Sequence, residues 1–376
     1  MPKLRRALLV IGIPIVVVTA YAVLAADVIG PADAWQAPAP PALTGVLEPN
    51  DALAKARTVC RGKIAGPESI GRDPTTGNIV TGLKDGRLVR IDIVHDEPIM
   101  FTRTGTAVEG CGAEEFEKTC GRVLGVRFDD RGRMFVADSF NGLLSVDPDG
   151  KTHVLSREAN GVPFNFTDDL DIAKDGRIYF SDASLKWDRT HYREDILENH
   201  GWGRLLRWDP AKNATEVLLE GLFFANGVTL APDESFVLVA ETGRYRIRRY
   251  YLSGEKAGTT DLFADNLPGS PDNVRRSSDG GYWVAMGAKR SKMIDFLHAR
   301  PTMKRVIAKL VPLKSVQEIA VPKIGFVLKL DRDGHIVKSY WDLSGQVITQ
   351  VSEADEYDGK LYVGSIAADR IAVLDL

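Results

Sequence analysis

From Ile64 onward, apolar and polar positions alternate in short runs, broken at Asp-Gly, Gly-Gly or Pro-containing turns. A period of two marks half-buried strands, and turns of this composition join antiparallel neighbours. One unit recurs along the chain. Gly125 to Asp138 reads as a strand, a turn and a second strand, and the same grammar returns at Phe166 to Asp182, Phe224 to Glu241 and Asn266 to Met286. Further short strands follow each unit, as in Gly142-Leu-Leu-Ser-Val-Asp147 and Thr152-His-Val-Leu155. Repeats of about 40–50 residues with about four antiparallel strands predict an all-β fold, the β-propeller. Six repeats are counted, from Gly66 to the stretch Ser352 to Leu376. The last is one strand short, so a strand from the region Thr58 to Ile64 is expected to close the ring. A helical solenoid is excluded because the period is two rather than 3.6.

Three stretches depart from this pattern. Ala7 to Ala26 carries no charge and follows Lys3, Arg5 and Arg6. About 20 apolar residues can span a bilayer, and positive charge ahead of the span keeps the N-terminus cytoplasmic. The expectation is a cytoplasmic tail (1–6), a single-pass signal anchor (7–26) and an exported remainder on the periplasmic, lumenal or extracellular side. Cleavage after Val23-Leu-Ala-Ala26 is the competing reading. Pro31 to Pro49 makes 27–57 a Pro/Ala-rich tether, too Pro-dense for a helix, which leaves 58–376 for the propeller. Within it, residues 289–323 follow helical spacing through Met293, Phe296, Leu297, Met303, Val306, Ile307, Leu310 and Val311, and are basic. A helix packed on one propeller face, a lid over the site and a membrane-surface helix all fit this insertion. A polar insertion from Ser184 to Gly203 interrupts the third repeat.

Composition narrows the function classes. Apolar and charged fractions of 44% and 26% permit a sizeable core, and a net charge of −3 gives no basic face for nucleic acid. The six histidines show no HxxH or HExxH spacing, which argues against a zinc hydrolase. Cys111 and Cys120 flank a short polar loop that a disulfide can staple in an oxidising compartment. Cys60 has no obvious partner and reads as a buried apolar residue.

Candidate chemistry lies where the repeats open. Glu68, Asp168, Asn226 and Asp272 each lead a different repeat, with Asn273 beside the last. Propeller symmetry brings such positions to one axis. Oxygen donors without His or Cys suit a hard cation, and Ca²⁺ takes about 6–8 of them at a flexible site. Capping of local turns accounts for any one of these residues, whereas four in register favour the metal. Asp168 and Asp272 are also the candidate catalytic residues, as base or nucleophile beside a metal that polarises a carbonyl or phosphoryl oxygen.

Gly66-Pro-Glu-Ser69, Asp168-Asp-Leu-Asp171, Phe224-Ala-Asn-Gly-Val228 and Pro268 to Arg276 resemble the strictosidine synthase-like propellers. The resemblance runs from about Gly66 to the C-terminus and includes Cys111, Cys120 and Ile294-Asp-Phe-Leu297. More distantly, the pattern is similar to paraoxonases, gluconolactonases and calcium-dependent phosphotriesterases. These families imply a six-bladed propeller with calcium in its channel, held here by Glu68, Asp168, Asn226 and Asp272, with Asn273 a further oxygen. Three departures bear on activity. Asp168 stands where those hydrolases usually have Asn. Neither Val123-Leu124-Gly125 nor Asp138-Ser139 carries the histidines of paraoxonases. Ser352 stands near the glutamate of strictosidine synthase, with Glu353 expected on the opposite face of the strand. Amine–aldehyde condensation is therefore not expected. The expectation is a membrane-anchored, calcium-dependent hydrolase of small-molecule esters or lactones, with a non-catalytic ligand- or partner-binding propeller as the alternative.

Overall fold

The computed structural model describes residues 26–376, in which six four-stranded antiparallel sheets carry the chain. Blade 1 runs from Ile70–Arg72 through Ile79–Gly82 and Arg87–Asp92 to Glu97–Arg103. Blade 2 uses Val123–Phe128, Met134–Asp138, Gly142–Val146 and Thr152–Ser156, and blade 3 Thr167–Ile172, Ile178–Asp182, Gly203–Asp209 and Ala214–Leu222. Blade 4 comprises Ala225–Leu230, Phe236–Glu241, Arg246–Tyr251 and Thr260–Ala264. Blade 5 comprises Gly269–Arg276, Tyr282–Lys289, Gly325–Leu330 and Ile336–Asp342. Blade 6 contributes Val351–Tyr357, Lys360–Ser365 and Ile371–Asp375, and its fourth strand is Arg57–Val59, pairing Arg57 with Val373 and Val59 with Ile371. This closing strand overlaps the region Thr58 to Ile64 expected to supply it only at Thr58 and Val59, and begins at Arg57, inside the stretch read as tether. This closure removes a free sheet edge at the seam.

Apolar side chains fill the spaces between adjacent blades. Leu238 and Ala240 of blade 4 pack with Val284 and Met286 of blade 5, while Phe326 stacks on Trp341 at 3.6 Å between ring centroids. Fully burying a side chain of this size contributes about 1.5–3 kcal/mol. Cys60 is buried and free, and Cys111 is bonded to Cys120 with Cα atoms 5.7 Å apart. Cys120 ends the short helix α1 (Glu117–Cys120).

The innermost strands share a defect that matters for the site. Register shifts fall between Val123 and Gly125, Thr167 and Leu170, Ala225 and Val228, Pro271 and Val274, and Val351 and Glu353. A β-bulge leaves residues unpaired and re-aims their side chains. Five blades therefore carry a bulge at the same height, holding Leu124, Asp168 with Asp169, Asn226, Asp272 with Asn273, and Ser352.

The two insertions meet on one face. The insertion in blade 3 contains α2 (Tyr192–Glu198). The one in blade 5 forms three helices, α3 (Lys292–His298), α4 (Pro301–Leu310) and α5 (Leu313–Ala320). Its first residue, Lys289, belongs to the preceding strand rather than to the helical segment. Leu197, Leu297 and Ala308 from α2, α3 and α4 bury one another, so the four helices act as a single cap.

The Pro/Ala-rich stretch read as a tether is bound to the body along its length. Ile29 joins the cap cluster, and Asp27 accepts from Arg305 Nε at 2.8 Å. The Trp35 amide donates to His298 O at 2.8 Å. Lys304 Nζ donates to Asp33 O and Arg290 Nη2 to Pro38 O, both at 2.7 Å. Leu47 and Leu53 are buried against blades 5 and 6. Proline-rich chain lies extended and keeps its carbonyls free to accept, so most of this strap is tied down as irregular chain, broken only by 3-10 turns at Gly45–Leu47 and Leu53–Lys55 before the strand at Arg57. The anchor predicted over 7–26 lies outside the described residues, save Ala26. No helix among the described residues is long and apolar enough to cross a membrane.

Candidate functional site

Glu68, Asp168, Asn226 and Asp272, from blades 1, 3, 4 and 5, line the floor of one cavity at the mouth of the channel, of about 160 Å³. Leu124 takes the second blade's place on this floor. Asn273 is fully buried and donates Nδ2 to Glu68 Oε1 at 3.4 Å, and the Asn226 amide bonds the Asp272 carboxylate. Two glycines make this convergence possible. A Cβ on Gly227 would sit 2.5 Å from Asn273 Cα, and one on Gly287 would sit 2.8 Å from Asp272 Oδ2. Gly227 lets blades 4 and 5 approach this closely, and Gly287 leaves room for the Asp272 carboxylate within blade 5.

The donors leave several oxygens without partners. Glu68 Oε2, Asn226 Oδ1 and Asn273 Oδ1 are buried and accept no hydrogen bond. An unpaired buried acceptor costs about 1–3 kcal/mol, so three around one floor are expensive unless something positive binds them. Burial, then the charges of Asp272 and Asp168, holds Glu68 well above the usual carboxylate range. Burial, then Asp168, does the same for Asp272. Asp168 is pushed up to about 7 by burial, opposed by Arg189 and Arg122. Such a set of carboxylate and amide oxygens fits a hard divalent cation such as calcium. Among the described residues, no group of three or more His, Cys, Asp or Glu side chains lies close enough to hold a metal ion by itself. The set on this floor adds the amide oxygens of Asn226 and Asn273 to the carboxylates.

Beneath the floor lies an ionic layer built from Asp169, Glu353 and two strand arginines, Arg127 and Arg275. Arg275 donates Nη1 and Nη2 to Asp169 at 2.6 and 2.8 Å, and Nη2 to Glu353 Oε2 at 2.9 Å. Arg127 Nη2 and Ser69 Oγ reach the same Glu353 oxygen at 3.2 and 3.0 Å. These side chains come from blades 5, 3, 6, 2 and 1 and bond across the axis. Glu353 is held in this layer through Oε2, its Oε1 being buried without a partner, and it does not line the cavity. Ser352 Oγ donates to Glu68 O at 2.7 Å, which positions the Glu68 backbone.

The cap roofs the cavity with Tyr192 and Ile196 of α2, Ile294 and His298 of α3, and Leu313 and Val316 of α5. Of the readings open for the blade 5 insertion, its position matches a lid. Two pocket residues escape sequence reasoning. His298 accepts from Asn199 Nδ2 through Nδ1 at 3.1 Å and is held neutral, its pKa pushed down to about 3 by burial and by Lys304. It is thus a poor proton acceptor. Arg189 stands at the cavity's edge, with its guanidinium 5.0 Å from the Tyr192 ring. His298 reads as one more position on a helical stretch, and Arg189 as part of a polar loop, so no local signal marks either.

A strictosidine synthase family model matches residues 168–255, and a strictosidine synthase-like N-terminal model matches residues 45–91. Adipocyte plasma membrane-associated protein of Rattus norvegicus is 42% identical over 347 residues, 90% of each chain. The Homo sapiens protein of that name is 42% identical over 348 residues, 90% of this chain and 82% of its own. Protein STRICTOSIDINE SYNTHASE-LIKE 10 of Arabidopsis thaliana is 37% identical over 351 residues, 90% of this chain and 92% of its own. Among solved structures, a gluconolactonase of Xanthomonas campestris aligns with a TM-score of 0.60 at 16% identity, covering 94% of this chain and 99% of its own. The calcium-binding protein regucalcin of Agrobacterium tumefaciens aligns at 0.56 and 14% identity, covering 85% and 94%. At these identities the two structures speak for the fold alone.

Proposed function

The chain belongs to the strictosidine synthase-like family, and from that premise we propose a calcium-dependent hydrolase of small esters or lactones, working at the channel mouth. The observation that carries this reading is the trio of buried, unpartnered oxygens on Glu68, Asn226 and Asn273 beside two further carboxylates. Structural neighbours named as a gluconolactonase and as a calcium-binding protein support it. Glu68, Asp168, Asn226, Asp272 and Asn273 would hold the cation, which when bound polarises a substrate carbonyl. Asp168 and Asp272 are the candidate bases toward a water on this floor. The cap excludes bulk water and offers an apolar wall to the substrate. Turnover of phenyl acetate and of δ-valerolactone by the purified domain, with calcium and with chelator, tests the reading. Calcium-dependent hydrolysis of either supports it, and a calcium-loaded domain that hydrolyses neither overturns it. The competing reading, a propeller that binds without turnover, draws on one observation: the pocket's histidine is held neutral.

The same reading sets the domain on the exported side of a membrane. Relatives are named as plasma membrane-associated, and a disulfide closes the Cys111 loop. The strap leaves the cap at Asp27, directly after the uncharged stretch 7–26. The cap is then the part of the body nearest the bilayer. It presents Met293, Phe296, Met303 and Leu310 to solvent, 38–47% exposed, among Lys292, Arg300 and Lys314. Apolar and basic side chains mixed in this way suit an anionic lipid surface.

A further inference from the structure

Arg189 begins the turn Arg189–His191 that leads into α2, and it lines two hollows at once. Inward lies the apolar cavity over the Glu68 floor. Outward lies a polar hollow of about 520 Å³, bordered by Lys84, Glu114, Lys314 and Glu318. The guanidinium therefore stands at the doorway between them.

Its neighbour Arg193, also at the doorway, is fully engaged, donating Nη1 to Glu114 and Nε to Gln317, both at 2.8 Å. Arg189 differs. Among the described residues it has no hydrogen bond and no carboxylate within ion-pair distance, and its one recorded contact is with the Tyr192 ring. Asp168, Glu114 and Glu117 are close enough to stabilise its charge without bonding it. A guanidinium held against an aromatic face keeps its donor edge free, and five N–H donors in a fixed fork match an oxyanion. Arg189 is partly exposed, so a ligand anion would take the place of water on that edge.

We propose that Arg189 receives the oxyanion of an amphipathic ligand whose apolar part fills the cavity beneath the cap, that is, an apolar-tailed carboxylate or phosphate ester. This rests on the reading of the cavity as the substrate site, but not on turnover. The apolar roof selects the tail, and the doorway arginine selects the charge.

The test is isothermal titration of the purified domain with octanoate, octyl phosphate and 1-octanol, in calcium and again in chelator. Arg189→Gln and Arg189→Lys are compared with the parent. At least one anion should bind the parent about tenfold or more tighter than 1-octanol. Arg189→Gln should cut that anion's affinity about 10- to 100-fold while leaving 1-octanol binding unchanged, and Arg189→Lys should fall between. Which anion responds decides between a carboxylate and a phosphate ester as the source. The proposal is overturned if neither anion binds, if anion and alcohol bind alike, or if Arg189→Gln weakens alcohol, anion and calcium together. That last pattern would mean Arg189 only balances Asp168. A domain that hydrolyses nothing but shows the Arg189-dependent preference would refute the hydrolase reading and leave this one standing.

Discussion

Asn273 donates to Glu68 across the mouth of the channel at 3.4 Å, although 205 positions separate them in the chain. The fifth blade and the first meet there because Arg57–Val59 closes the ring. Their remaining oxygens, Asn273 Oδ1 and Glu68 Oε2, are left without partners.

Glu68→Gln should therefore weaken calcium binding at least about tenfold, since one charged donor becomes neutral. The metal-free variant should melt no lower than the parent, because a buried carboxylate beside Asp168 and Asp272 is already unfavourable. Asp149→Ala, at an exposed turn where Asp149 accepts only from the Lys151 amide, should change neither quantity. Titration calorimetry and thermal melts read both effects; equal losses in the two variants would contradict the assignment.

A pH effect is expected at Asp195 in the cap. Its carboxyl is pushed up to about 8 by burial, and Oδ2 has no partner. The folded state thus holds a proton that the unfolded state releases near the ordinary value. This contribution is full below about 4 and is lost as pH rises through about 8. Asp195→Asn should abolish that loss, raising the melting temperature at pH 9 by about 2 °C or more relative to its effect at pH 6. An identical shift at both pH values would show that Asp195 is ionised throughout.

The blades and the floor residues were legible because their signals are local. Asp-Gly turns and period-two runs mark the strands, and the Asp168-Asp169 and Asp272-Asn273 pairs lie on the bulges themselves. The strap was not legible. Pro31 to Pro49 carries no periodicity, and its attachment runs through backbone carbonyls such as Pro38 O, which any sequence supplies. Arg127 and Arg275 escaped notice for another reason: an arginine on a strand reads as solvent-facing until the channel places Asp169 and Glu353 opposite it.

Removing the disulfide should cost about 2–3 kcal/mol in the chain-entropy model. Cys111→Ala with Cys120→Ala should lower the urea midpoint accordingly while leaving the fold intact, since the loop lies outside the blades. Cys120 is fully buried, so a loss above this range would report packing at that position as well. No change in midpoint would mean that the unfolded chain is not constrained by the bond.

Residues 27–376 should bind vesicles containing phosphatidylserine more tightly than neutral vesicles, through the cap. Phe296→Asp with Met303→Asp places two charges among the exposed apolar side chains and should weaken binding at least about fivefold. Co-sedimentation reads this directly. Equal partition to neutral and anionic vesicles, or none to either, would remove the cap from the membrane.

The most direct measurement of the central claim is metal analysis of the purified domain, paired with melting curves in calcium and in chelator. The account predicts one calcium per chain and a fall in melting temperature of about 5 °C on chelation, since a ligand held 100-fold above its dissociation constant stabilises by about 2.7 kcal/mol. A well-folded domain without bound metal, and a melting curve indifferent to calcium, would contradict it.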